Sequence, residues 1–253
     1  MKSFLSKVIS ACLLLSISFG VSSCSSILKE KKVYIEKGYK KEIGVYRVDI
    51  FDYKNGAIYA SATSFAYEYN KAEGKTYFFT NDHVCQAIIN DTTVLLLTGV
   101  VVEKEFMAYG NLEASSWGSE ICIFSAKTKM EHLKIKDQDY IPKEGESIKV
   151  IGAPYGIFPT TSIGYIEDPL YDRFKAAPLS IDIIFGMPFL SVKAEIHPGS
   201  SGSPVLSKSG EVIGMIFAGD GQGNGIAVSH IDLIAAKEMF KMQKERLKEK
   251  EVE

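Results

Sequence analysis

The run Pro198-Gly199-Ser200-Ser201-Gly202-Ser203-Pro204 leads directly into Val205-Leu206 and then into Gly210-Glu211-Val212-Ile213-Gly214. A serine in a glycine-flanked turn that opens an apolar strand is how a chain presents a nucleophilic hydroxyl. Gly199 lets the backbone bend so that its own N–H and that of Ser201 point at one spot. Two backbone donors aimed at a developing oxyanion are often the largest single contribution to acyl-transfer catalysis. Gly-Ser-Ser-Gly also occurs in ordinary loops, so the turn gains its meaning from Thr80-Asn81-Asp82-His83-Val84-Cys85, over a hundred residues upstream. There His83 follows Tyr77-Phe78-Phe79, an apolar run that reads as a strand.

Other segments keep the same company. Ala62-Thr63-Ser64-Phe65 precedes the histidine motif, and Glu120-Ile121-Cys122-Ile123-Phe124 follows it. Val150 to Gly156, Thr161 to Ile166 and Gly225 to Ser229 complete the series. In this order, over roughly residues 43 to 235, the chain resembles the trypsin-like serine proteases, and among them the bacterial high-temperature-requirement (Deg-type) branch. The resemblance implies an all-β fold of two six-stranded antiparallel β-barrels that share a cleft. It also implies peptide-bond hydrolysis through an acyl-enzyme. No PDZ module of the kind that ends many Deg-type proteases is expected after this domain.

The N-terminus reads as a targeting segment. Lys2 and Lys7 precede the apolar run Val8 to Gly20, which is short beside the ~20 residues of a membrane span. Val21-Ser22-Ser23-Cys24 then resembles a bacterial lipobox, with cleavage before a lipid-carrying Cys24. The alternative is a soluble secreted protein with an incidental cysteine. Removing residues 1–23 takes away two lysines and no acid, so the charge moves from −2 to −4. A mildly acidic chain without a dense basic patch gives no case for nucleic-acid binding. Cys85 and Cys122 remain in the body of the protein, either as one disulfide or as two free thiols packed as small hydrophobes. No His/Cys cluster has metal-ligand spacing, and no cofactor or metal is expected.

The domain boundaries follow from these patterns. Residues 1–23 are the leader and 24–42 a lysine-rich polar tether. Residues 43–235 form the protease domain, with a first barrel over about 43–136 and a second over about 145–230. Val45 to Ile50 alternates, Asn55-Gly56 signals a hairpin, and Ile58 to Tyr69, Lys75 to Thr80, Thr93 to Val102 and Glu120 to Phe124 continue the first barrel. Ser147 to Gly152, Thr161 to Glu167, Phe189 to Ala194, Gly202 to Leu206, Val212 to Phe217 and Gly225 to Ser229 supply the second. Asp168 to Pro188 has no clear pattern. From Ile231 to Glu253 the sequence turns helical, with an apolar face expected on the second barrel and a solvated charged end.

The resemblance assigns Ser201 as nucleophile, His83 as general base, and Gly199 and Ser201 as oxyanion donors. Of the four histidines, His132 lies among charged residues, His197 shares the nucleophile's loop, and His230 ends the last strand. The third member departs from the family. Glu120 stands where an aspartate is usual, and one extra methylene displaces a carboxylate by roughly 1 Å unless the strand compensates, a shift that can cost on the order of 10²-fold in rate. Asp82, another acid, or none at all are the alternatives.

Substrate contacts are expected at Glu195, Phe217, Ala218 and Gly219. Glu195 falls near the base of the primary pocket in the family arrangement, or else faces the surface. Ile216 stands where glutamyl endopeptidases carry a histidine, which argues against acid-specific cleavage. Asp220 to Asn224 reads as a turn rather than a calcium loop. The expected function is a membrane-anchored serine endopeptidase of the cell envelope acting on polypeptides. The alternative is a weak or inactive protease-fold lipoprotein that binds extended peptides.

Overall fold

The computed structural model describes residues 34–36, 44–88, 93–101, 104–116, 119–171, 188–219 and 223–250. The leader, Cys24, most of the tether and Asp220 to Gln222 lie outside the described residues. Strand-forming sequence and turn chemistry agree closely at the start of the first barrel. β2 (Val45–Asp52) ends at a turn closed by Gly56 N–H donating to Asp52 O at 2.8 Å, with Gly56 at a φ of +72°. β3 (Ala57–Asn70) returns antiparallel, followed by β4 (Lys75–Thr80), β5 (Thr93–Val101), β6 (Lys104–Ser116) and β7 (Ile121–Ala126). These strands close a barrel in the order β2-β3-β4-β7-β6-β5. Val48, Ile50, Phe78, Leu95, Leu97 and Phe124 fill it, with Phe78 stacked on Phe124 at 5.0 Å between ring centroids.

The second barrel is built from β8 (Ser147–Gly152), β9 (Thr160–Tyr171), β10 (Phe189–Lys193), β11 (Pro204–Leu206), β12 (Val212–Gly219) and β13 (Asn224–Ser229). The order β9-β10-β13-β12-β11-β8 closes through a further β8–β9 pairing, and β1 (Tyr34–Glu36) adds to β9. This is the double barrel that the resemblance implies. Between the barrels, Ile135 makes a parallel bridge to Val212, with Lys136 N–H donating to Val212 O and Val212 N–H to Lys134 O. Lys134 and Lys136 both pair with Glu211, and their hydrogen bonds pull its carboxyl pKa down to about 2.

α2 (His230–Lys250) departs from expectation in its reach. It leaves β13 across the second barrel, then reaches the first barrel, where Phe240 meets Tyr77 edge-on at 5.5 Å. Its charged end stays helical to Lys250, with Glu245 to Lys250 exposed to solvent. Lys237 pairs with Glu68, while Lys244 bonds Glu73 and the Tyr77 hydroxyl. Among the described residues no helix is long and apolar enough to cross a membrane.

Candidate active site

His83 stands on α1 (Asp82–Gln86), a single turn directly after β4, rather than on the strand end itself. Its Nδ1 lies 2.7 Å from Oε2 of Glu120, with the imidazole 42% exposed and the carboxylate 8%. Glu120 immediately precedes β7 and has a φ of +56°, in the left-handed region that non-glycine residues seldom adopt. Its carbonyl accepts a 3.0 Å hydrogen bond from Nδ2 of the buried Asn81. The cysteines resolve to a bridge: Cys85 and Cys122, each two residues beyond a member of this pair, form a disulfide across a separation of 37 residues.

Asp82 does not face the imidazole. It is buried beneath α1 and accepts hydrogen bonds from Ser115 and Gln86. Burial pushes its pKa up, and the nearby Glu120 charge adds to the rise. Of the other histidines, His132 is exposed, and His230 is buried with no hydrogen-bond partner among the described residues for either ring nitrogen. Burial pushes the His230 pKa down, and the carbonyls of Ile213, Asp137 and Tyr140 offset only part of that effect without meeting hydrogen-bond geometry.

The serine loop is pinned at nearly every peptide. Ser200 N–H donates to His197 O at 2.9 Å, and Ser203 N–H donates to Ser200 O at 3.0 Å. Ser200 and Ser203 are buried, whereas Ser201 remains partly exposed. Tyr155 N–H donates to Pro198 O, and Thr63 N–H to Ser201 O. In a trans peptide the carbonyl and the N–H point in opposite directions. Holding the Pro198 and Ser200 carbonyls therefore aims the N–H groups of Gly199 and Ser201 the other way. Neither of those N–H groups bonds to a described residue.

Two glycines make this loop possible. Gly199 has a φ of +97°, and a Cβ there would meet Ala153 O at 2.3 Å. Gly202 has a φ of +84°, and a Cβ there would meet Thr63 O at 1.9 Å. His83 and Glu120 are thus brought together directly. Ser201 and His83 make no hydrogen bond to each other in this state, as is common in free enzymes, where such bonds tighten only with substrate.

The residues assigned to substrate are divided. Glu195 does not sit at a buried pocket base: its side chain is 41% exposed, with Oε2 3.9 Å from His197 Nε2. The Phe217 ring is buried against Phe189 at 4.7 Å, so it belongs to the core rather than to a pocket wall. Ala218 and Gly219 follow on β12, where β11 no longer pairs and, among the described strands, only β13 flanks them. Sequence reasoning missed Ile196. This buried side chain lies against Gly219 and Gly225, where an added Cβ would meet its Cγ2 and Cγ1 carbons, respectively, at 2.7 Å in both cases. The two glycines pair directly across β12 and β13, a long-range register that the local sequence around Ile196 does not carry.

Comparison with known proteins agrees with this architecture. The chain is 26% identical over 163 residues to a DegP-like periplasmic serine endoprotease of Chlamydia pneumoniae, covering 63% of this chain and 30% of that one. It is 27% identical over 202 residues to the serine protease Do-like HtrA of Bacillus subtilis, covering 70% and 39%. The chain therefore spans about a third of the length of these curated relatives. In fold it is similar to the serine endoprotease from Yersinia pestis, with a TM-score of 0.59 and 22% identity over 78% of this chain and 62% of that one. It is likewise similar to Deg5, with a TM-score of 0.60 and 19% identity over 78% and 88%. The trypsin-like peptidase domain model matches residues 62–215, more than half of the sequence, and the chain belongs to that family.

Proposed function

We propose that this chain is a serine endopeptidase in which Ser201, His83 and Glu120 act together on extended polypeptides. The observation that carries the reading is the 2.7 Å approach of Glu120 to His83 Nδ1, beside a serine loop whose peptides are pinned. Ser201 Oγ attacks the scissile carbonyl while His83 takes its proton through Nε2. Glu120 keeps the Nδ1–H tautomer and stabilises the imidazolium that forms. The N–H groups of Gly199 and Ser201 receive the oxyanion. Collapse breaks the C–N bond, His83 gives its proton to the leaving amine, and water then hydrolyses the ester by the reverse sequence of proton transfers. The backbone of Ala218 and Gly219, open on the β11 side, supports substrate binding by strand addition.

A fluorophosphonate probe tests this reading. Wild type labels, and Ser201→Ala and His83→Ala do not; equal labelling of all three overturns it. A wild-type protein that never labels would instead favour a peptide-binding groove.

The anchoring proposal rests on Val21-Ser22-Ser23-Cys24 after the short apolar run. The disulfide supports an oxidising, extracytoplasmic location. Cys24→Ala abolishes incorporation of labelled lipid if Cys24 is the anchor, and unchanged labelling contradicts it.

A further inference from the structure

We infer that Thr63 is a positioning residue that registers the nucleophile loop of the second barrel against the histidine helix of the first. The inference rests on the serine-protease reading, with Thr63 acting through Gly199 and Ser201 rather than on substrate. Thr63 lies inside β3 and is fully buried. Its N–H donates to Ser201 O at 2.8 Å, and its hydroxyl donates to Gly199 O at 2.9 Å. The same hydroxyl accepts from Ala153 N–H at 2.9 Å, and the Thr63 carbonyl accepts from Thr80 Oγ1 at 2.8 Å.

A hydroxyl has one proton and two lone pairs, and this one spends the proton on Gly199 and accepts from Ala153. It therefore joins the nucleophile loop to the segment whose Tyr155 N–H holds Pro198. Thr80 in turn ends β4, three residues before His83. One residue thus connects both carbonyls flanking the Ser200–Ser201 peptide to the base of the histidine helix. The packing leaves no slack: a Cβ at Gly152 would lie 2.8 Å from Thr63 Oγ1. Thr63 and Ala153 are both fully buried, so losing the hydroxyl leaves the Ala153 N–H without a partner, takes the Thr63 bond from Gly199 O and frees the loop to tilt.

Thr63→Val keeps the shape and removes the hydroxyl, while Thr63→Ser keeps the hydroxyl. Measured on the full chain, Thr63→Val lowers kcat by about 10- to 100-fold, the scale set by a misplacement near 1 Å, and leaves KM unchanged. Thr63→Ser restores kcat. Amide hydrogen exchange over residues 197–203 rises in Thr63→Val and returns to wild type in Thr63→Ser, with β5 and β6 unaffected. If Thr63→Val does not fold, Thr63→Cys, of similar size and only a weak donor, takes its place. Wild-type kcat and exchange in the hydroxyl-free variant overturn the proposal, as does a loss that serine fails to rescue. The exchange measurement decides the positioning role even if the wild type proves unreactive to fluorophosphonate, which would overturn the enzyme reading alone.

Discussion

Oε2 of Glu120 lies 2.7 Å from Nδ1 of His83, and Glu120 reaches it from a left-handed backbone with a φ of +56°. A non-glycine residue in that region costs roughly 1–2 kcal/mol. Two tethers hold it there. Asn81 Nδ2 bonds the Glu120 carbonyl, and the Cys85–Cys122 disulfide fastens α1 to β7. Closing a loop of 37 residues is worth about 4 kcal/mol in the chain-entropy model, enough to cover that strain. From this backbone the glutamate side chain reaches hydrogen-bond distance of the imidazole.

Glu120→Gln therefore lowers turnover by about 10⁴-fold, the scale of losing the correct imidazole tautomer, with little change in Tm. Glu120→Asp also lowers it, by about 10²-fold, because the shorter carboxylate falls short from a fixed backbone. Steady-state kinetics of both variants check this. An aspartate variant faster than wild type would mean that the left-handed conformation does not position the carboxylate.

Asp82→Asn separates the two neighbouring acids. Burial raises the folded-state pKa of Asp82, so its ionisation costs stability above the unfolded-state value, and the molecule gains as pH falls. Asparagine removes that cost. Its Tm near pH 7 is expected to equal or exceed that of wild type, with the advantage shrinking toward acid, and turnover is retained. An inactive Asp82→Asn beside an active Glu120→Gln would exchange their roles.

Much of this was legible in the sequence because barrel strands with regular alternation declare themselves, as in Val45 to Ile50 and Ser147 to Gly152. β6 did not. Exposed Met107 and Tyr109 blur its alternation, and Gly110 interrupts it where the Phe124 ring presses in, 2.8 Å from where a Cβ would stand. The His83–Glu120 pairing followed from the resemblance, but the left-handed turn that completes it depends on Asn81 and the disulfide, both long-range. The docking of α2 was equally hidden, since Glu73 and Tyr77 lie some 170 residues before Lys244. Local periodicity reports that a helix has a face, but not what meets it.

Under the proposed function, Ile196 is expected to limit the size of the primary pocket. Its side chain lies against Gly219 and Gly225, the space a large substrate side chain would need. Wild type is thus expected to cleave after small aliphatic residues. Ile196→Ala shifts the ratio of kcat/KM toward larger side chains by about 10-fold or more, in line with the 1–3 kcal/mol that pocket methylenes contribute to discrimination. Truncating so buried a residue also destabilises, by about 2–5 kcal/mol, so Ile196→Val serves as the milder arm with the same direction. A library of peptides varied at the cleaved position measures both, and an unchanged preference would remove Ile196 from the pocket.

Glu211 links the inter-barrel connection to β12, and its acid dependence has a definite sign. Lys134 lies 2.8 Å away, Lys136 also pairs with it, and Ser209 Oγ donates at 2.7 Å. These bonds hold the folded-state pKa at about 2, well below the ordinary carboxyl value of 4.5. A carboxylate with a depressed folded pKa contributes stability that is fully present above its unfolded value and is lost as pH falls through the folded one. Lys134 is 65% exposed and screened by salt, so Lys136, at 24%, carries more of the effect. Glu211→Gln is expected to lower Tm by a few degrees at pH 7. The difference from wild type closes between pH 4.5 and about 2, and narrows only in part with added salt. Thermal unfolding across that range decides it. A Tm gap that stays constant down to pH 2 would place the effect in packing, whereas no gap at pH 7 would leave these ion pairs without a role in holding the barrels together.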